Sequence, residues 1–239
     1  MTKRVRPALV AALALLAGLG AASVQAQGFN LRGSERDRDE DYRRADASAV
    51  VAAELAFARA AQEKGQWTAF AEFAADDAVM FVPEPVNAQA WLKGRANPPQ
   101  AVRWQPHQVW SSCDGSLAVT KGAWQRPDGS VGYFTTVWQR QGNKKKSEYR
   151  WVMDQGDTLT EPLEAPEMID AKAADCGGEP FPPIVVSGPS DMIRTGASED
   201  GTLHWDVTVG PDGSRRVNAS YWDGTGWQRA LREQVSAGG

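Results

Sequence analysis

Residues 107–155 read HQVWSSCDGSLAVTKGAWQRPDGSVGYFTTVWQRQGNKKKSEYRWVMDQ, and their pattern decides the fold. Four runs rich in Val, Thr, Trp and Tyr suit the pleated surface of a sheet. They are separated by Cys113-Asp-Gly115, Pro127-Asp-Gly129 and Gly142-Asn143, which is hairpin-turn chemistry. The runs 107–112, 116–125, 130–141 and 146–155 are therefore expected to form a four-stranded meander. In the third run, Tyr133 and Val137 share one parity, and Phe134 and Trp138 the other. A strand with large groups on both faces has both faces covered. Helices can cover one of them. The C-terminal part of the chain, or a second subunit in a homodimer, should cover the other.

Upstream of the meander the periodicity is helical. Val51, Leu55 and Ala58 fall at i, i+4 and i+7, with Val50, Phe57 and Ala61 widening the stripe, and Gly65 ends it. Trp67, Phe70 and Phe73 repeat every three residues in a second helix that runs to Asp76-Asp77. A short apolar strand follows at 78–82, stopped by Pro83 and Pro85, and residues 87–93 suit a further turn or two of helix. Two helices, a strand, a short helix and a meander make an α+β layer fold.

This order of elements carries specific words: Phe57-Ala-Arg-Ala, Asp76-Asp-Ala-Val-Met-Phe81, Thr120-Lys-Gly-Ala-Trp124, Gly132-Tyr-Phe-Thr-Thr-Val-Trp-Gln-Arg140 and Tyr149-Arg-Trp-Val-Met-Asp154. Together they resemble the nuclear transport factor 2-like (NTF2-like) superfamily, in its SnoaL-like and ketosteroid-isomerase-like branch. The resemblance covers residues 47–157. It implies a curved antiparallel sheet with the N-terminal helices on its concave face, enclosing a cone-like cavity. It supports the fold far better than an activity.

Beyond Gly156 a Pro-rich connection spans 158–190 and leads to a β-meander in 191–239. Asp-Gly recurs at Asp200, Asp212 and Asp223, so strands are expected at 202–209, 214–222 and from Trp227 to Leu231 or a little beyond.

The N-terminus has the layout of an export signal: Lys3, Arg4 and Arg6, an uncharged stretch from Pro7 to Ala22, then Val24-Gln25-Ala26 as a cleavage site. The stretch is shorter than the ~20 apolar residues a spanning helix needs and is interrupted by Gly18 and Gly20. Residues 1–26 are thus expected to be a signal peptide, and 27–46, rich in charge, a flexible leader. The expected location is periplasmic or secreted, with no membrane association after cleavage. Cleavage would leave 23 basic against 30 acidic residues, a net charge of −7. An acidic chain without a basic stripe argues against nucleic acid as a partner. The two cysteines, Cys113 and Cys176, are expected to pair in an oxidising compartment.

The chemistry-bearing motifs are few. The mature chain has no Gly-x-Ser-x-Gly elbow, no phosphate-cradling glycine loop and no His-Glu-x-x-His. His107 and His204 lie in separate regions without neighbours at metal-ligand spacing, so neither metal nor cofactor is expected. Lys144-Lys-Lys146 reads as a solvated hairpin tip. The resemblance implies a cavity, and Trp91, Trp104, Trp124, Trp138 and Trp151 are candidates to line it, either as core or against a small apolar molecule. Trp124 and Trp138, on central strands, are expected to touch such a ligand. Acid–base work would need a carboxyl or phenol in that pocket. Asp154 is the first candidate, with Tyr133 as a hydrogen-bond donor; Asp77 and Glu54 follow. Trp151 and Asp154 differ by an odd number, so they share a face only if a bulge intervenes. Neither the tyrosine–aspartate set of the ketosteroid isomerases nor the Asp-Arg-Asp set of the epoxide hydrolases is matched. The reading is a small-ligand-binding protein, with a cofactor-free isomerase, dehydratase or cyclase and an envelope interaction module as alternatives.

Overall fold

The computed structural model describes residues 47–143, 146–177, 180 and 193–237. The signal peptide and leader, Lys144, Lys145 and most of 178–192 lie outside the described residues. Helices α1 (Ala47–Lys64) and α2 (Gln66–Phe73) are followed by strands β1 (Ala74–Phe81) and β2 (Pro85–Asn87) and helix α3 (Ala88–Leu92). The expected meander is β3 (Arg103–Ser111), β4 (Leu117–Gln125), β5 (Val131–Asn143) and β6 (Lys146–Leu159). After it come β7 (Asp170–Ala173), β8 (Ile193–Ala197), β9 (Leu203–Val209), β10 (Arg215–Trp222) and β11 (Trp227–Val235).

Seven strands form one sheet in the order β2-β1-β6-β5-β4-β3-β7, and four form a second, β11-β10-β9-β8. The meander is antiparallel throughout, whereas β1 pairs β6 and β7 pairs β3 in parallel, so the large sheet is mixed towards its edges. Strand β7 falls within the stretch read as a connection. All four of its residues are exposed, so no alternation announces it. Strand β8 likewise adds a fourth strand to a meander read as three.

The register sorts the side chains. On β4 and β5, Thr120 opposes Thr136 and Ala118 opposes Trp138. These join Val50, Phe57, Ala61 and Ala69 in a core between the helices and the concave face. The opposite parity (Leu117, Val119 and Val137, with Met153 from β6) packs on Leu203, Trp205, Val207, Val217 and Leu231. The second sheet of the chain itself therefore covers the outer face, and β5 carries large groups on both sides because it lies between two cores.

Two tight turns lock the sheets together at one end. Asp114 N donates to Asp200 Oδ2 (2.8 Å) and Asp200 N donates back to Asp114 Oδ2 (3.2 Å). Cys113 and Cys176 form a disulfide with Cα atoms 5.2 Å apart. Next to it, Ala174 N donates to Ser111 O and Asp175 N to Trp222 O, both at 2.8 Å. The bridge thus fastens the chain after β7 to both sheets. Among the described residues no helix is long and apolar enough to cross a membrane.

Helix α1 buries a different stripe from the expected one. Val50, Glu54, Phe57, Ala60 and Ala61 face the core, while Leu55 is 43% exposed. The helix is rotated towards the aromatic side, and that rotation carries a carboxyl into the core. Between α1 and α2, Gly65 adopts φ 103°, and a side chain there would collide with Asn97. Asn97 Oδ1 accepts from Trp67 N (2.7 Å) and Thr68 N (3.1 Å), capping α2 from a distant loop.

Candidate active site in the helix–sheet cavity

Between α1, α2 and the concave face lies a cavity of ≈130 Å³, walled by Phe57, Phe70, Trp104, Trp124, Phe134 and Asp154 among others. Gln66, Phe70, Trp124, Arg126, Asp154 and Gly156 also line a wider mouth of ≈410 Å³, to which Pro83, Asp157 and Arg215 contribute. The two spaces are adjacent, and Asp154 stands at their boundary.

Asp154 opposes Thr136 on β5 and so points to the concave face. Thr136 Oγ1 donates to its Oδ2 at 2.8 Å. Burial among the aromatic walls pushes the Asp154 carboxyl up to about 7; the Thr136 bond opposes this, the charge of Glu54 adds to it, and Arg215 opposes it. A register shift between Val137 and Trp138 pairs Val137 with Met153 but Trp138 with Trp151. Residue 152 is the extra one. That bulge puts Trp151 and Asp154 on one face despite their odd spacing.

Glu54 lies deeper and is fully buried. Its Oε1 accepts from Trp104 Nε1 (2.8 Å), and its Oε2 from Trp138 Nε1 (2.8 Å) and Thr120 Oγ1 (2.6 Å). Burial raises its pKa and the three donors oppose the rise.

The other sequence candidates divide by position. Trp104 and Trp124 line the cavity. Trp124 lies over Gly132, where any side chain would meet its ring, and its Nε1 donates to Tyr133 O at 2.8 Å. Trp138 and Trp151 are fully buried in the core behind the cavity rather than in its wall. Trp91, on α3, lies outside the cavity wall: it packs on Trp67 with ring centroids 5.2 Å apart, under the Arg95 guanidinium at 3.3 Å. Tyr133 is on the outer face, opposite in parity to Phe134 and Thr136, so it does not meet Asp154 in the cavity. Burial, then the charges of Glu233 and Asp157, push its phenol up to about 12. Asp77 is exposed on β1. His107 is buried beside a bulge in β3, and burial lowers its pKa. His204 packs on Trp227 with ring centroids 4.7 Å apart. Among the described residues no group of three or more His, Cys, Asp or Glu could hold a metal ion.

Sequence reasoning did not anticipate Arg215. This residue of β10 donates from Nε to Gln155 Oε1 (3.1 Å) and from Nη2 to Gly156 O (2.6 Å), with its guanidinium 4.9 Å over the Phe81 ring. Gln155 Nε2 in turn donates to Glu233 Oε2 at 2.6 Å, and Lys121 Nζ pairs with Glu233 Oε1 at 2.9 Å. The second sheet thereby braces β6 directly behind the cavity rim.

A helical layer on the concave face of a curved sheet, a cavity between them, and the element order of the resemblance are now all observed. This α+β architecture is consistent with an NTF2-like fold. Among solved structures it is similar to a candidate aromatic ring hydroxylase from Novosphingobium aromaticivorans, at 15% identity and TM-score 0.35, covering 49% of this chain and 91% of that one. It is also similar to an NTF2-like protein of unknown function from Mesorhizobium loti, at 14% identity and TM-score 0.29, covering 47% of this chain and 93% of that one. No protein-family model matches the chain, and no curated protein matches it. The second sheet, β8 to β11, lies outside residues 47–157, over which the sequence resemblance runs.

Proposed function

We propose that the helix–sheet cavity binds one small, largely apolar molecule and that Asp154 exchanges a proton with it, as a cofactor-free isomerase, dehydratase or cyclase requires. The observation that carries this reading is a carboxyl set in the wall of an otherwise apolar cavity, at the edge of an open mouth. A group titrating near neutral pH can act as base in one form and acid in the other. Asp154 accepts from Thr136 on the neighbouring strand, and the charge of Arg215 on β10 acts on it without offsetting the effect of burial.

Size narrows the ligand. An apolar cavity of about 150 Å³ admits benzene, so ≈130 Å³ suits a single six-membered ring, with substituents extending into the mouth. Simple binding without chemistry would use the same walls; the elevated Asp154 favours proton transfer. The Cys113–Cys176 bridge and the export-signal pattern of residues 1–26 support work outside the cytoplasm.

Protein-observed NMR of the isotope-labelled chain with single-ring and fused two-ring compounds tests the reading. Single-ring compounds should bind and shift the backbone signals of Trp104, Phe134 and Gly156, and fused-ring compounds should not. If no compound binds or moves the melting temperature, or if the shifts gather elsewhere, the cavity is not the site.

A further inference from the structure

Two carboxyls share the space between α1 and the concave face, and their surroundings differ. Every hydrogen bond described at Glu54 comes from a donor. Trp104 Nε1 and Trp138 Nε1 can only donate. Trp138 Nε1 also reaches Thr120 Oγ1 at 3.2 Å, while Thr120 Oγ1 lies 2.6 Å from Glu54 Oε2 and 3.4 Å from Thr136 O. With an indole proton directed at it and its shortest contact to Glu54, the Thr120 hydroxyl gives its proton to the carboxylate. Glu54 is thus surrounded as an anion is. Asp154 has the Thr136 hydroxyl on Oδ2 and faces the cavity. The two sites are linked across adjacent strands, because Thr120 opposes Thr136 and Thr136 opposes Asp154.

Building on the proton exchange proposed for Asp154, we propose that Glu54 and Asp154 work as one coupled carboxyl pair, in which Glu54 is the resident anion and Asp154 holds the exchangeable proton. Glu54 never touches the ligand. It is a positioning residue that acts by its charge, and the indoles of Trp104, in the cavity wall, and Trp138, in the core, keep that charge in place. The groups acting on Asp154 are Glu54 from α1, Thr136 from β5 and Arg215 from β10; Arg126, in the turn after β4, lines the same cavity, and Asp157 lines the mouth. Those bonded to Glu54 are Thr120, Trp104 and Trp138, none of them charged. Two such carboxyls lose their protons in two steps that belong to the pair.

The test is a carboxyl-carbon NMR titration of the full chain, with Asp154 assigned through Asp154→Asn. A neighbouring unit charge acting through an effective dielectric constant of about 20 moves a carboxyl by about one pH unit. The Asp154 midpoint should therefore fall by about that much in Glu54→Gln and stay within a few tenths of the parent in Glu54→Asp, which keeps the charge. An unchanged midpoint in Glu54→Gln overturns the pair and leaves the proton-exchange reading standing. A parent midpoint in the ordinary carboxylate range overturns both. The parent alone provides a second measurement should Glu54→Gln fail to fold: Glu54 must reach its ionised chemical shift at lower pH than Asp154. If Glu54 stays protonated beyond the Asp154 midpoint, the assignment is wrong.

Discussion

Replacing Asp154 by Asn should stabilise the protein at alkaline pH. Folding raises the Asp154 carboxyl from 3.8 to about 7, chiefly by burial. Between about pH 4 and pH 7 the folded state therefore keeps a proton that the unfolded chain has released, so stability falls as pH rises through that window and levels off above it. The whole displacement corresponds to an upper figure of about 4 kcal/mol. Asp154 keeps some exposure at the cavity mouth, and water there screens the penalty, so about 2 kcal/mol is the working expectation. Asparagine has the same shape, can still accept from Thr136 Oγ1 and has no charge to desolvate. Urea denaturation at pH 5 and pH 8.5 should show Asp154→Asn gaining about 2 kcal/mol on the parent at pH 8.5, or about 4–8 °C in melting temperature for a chain of this size. At pH 5 the gain should shrink. The slope of stability against pH should be reduced rather than abolished, because Glu54 is also raised by burial. A variant no more stable than the parent at pH 8.5, with the same slope, would refute the argument that Asp154 is held against its charge. Such a cost, borne at a site that would be more stable without it, is what a functional carboxyl is expected to show.

Three further outcomes follow from the packing. Removing the Cys113–Cys176 bridge, which closes a separation of 63 residues, should cost about 4 kcal/mol by loop entropy; urea midpoints of Cys113→Ser/Cys176→Ser against the parent measure it, and a loss under about 1 kcal/mol would contradict it. Gly132→Ala puts a Cβ against both the Asp157 carbonyl oxygen on β6 and the Trp124 ring, so it should displace the ring and strain the β5–β6 pairing, shifting tryptophan emission, weakening single-ring ligands at least about tenfold and costing about 1–3 kcal/mol or more; unchanged emission and affinity would show that the wall does not depend on this glycine. Leu203→Ala, in the core between the two sheets, should cost about 2–5 kcal/mol in urea denaturation; a near-neutral result would mean that the second sheet is not firmly packed on the first.

The meander was legible because its signals are local. Asp-Gly turns fix where hairpins reverse, and large residues on both parities of 130–141 announce two covered faces. Burial on α1 was less legible, because the hydrophobic stripe through Val51, Leu55 and Ala58 omits the polar Glu54, whose place in the core depends on indole donors from two distant strands. The face of Trp151 depends on a bulge that no residue type marks. Asp154 was a candidate as a carboxyl on the last strand of the meander, and the register sets it in the cavity wall. Tyr133 was not brought beside it, because three residues of β5 and a register set by hairpin geometry decide which face each side chain takes. Arg215 carried no signal at all: its role exists only once the second sheet packs on the first.

Proton exchange between Asp154 and a bound ring is the central claim, and titration calorimetry of phenol binding tests it most directly. Run at pH 7 in buffers of different ionisation enthalpy, the parent should show a fractional proton uptake or release on binding that is greatest near the Asp154 midpoint. Asp154→Asn should bind phenol with no linked proton. Binding with the same proton linkage in both proteins, or with none in the parent at any pH, would contradict the account.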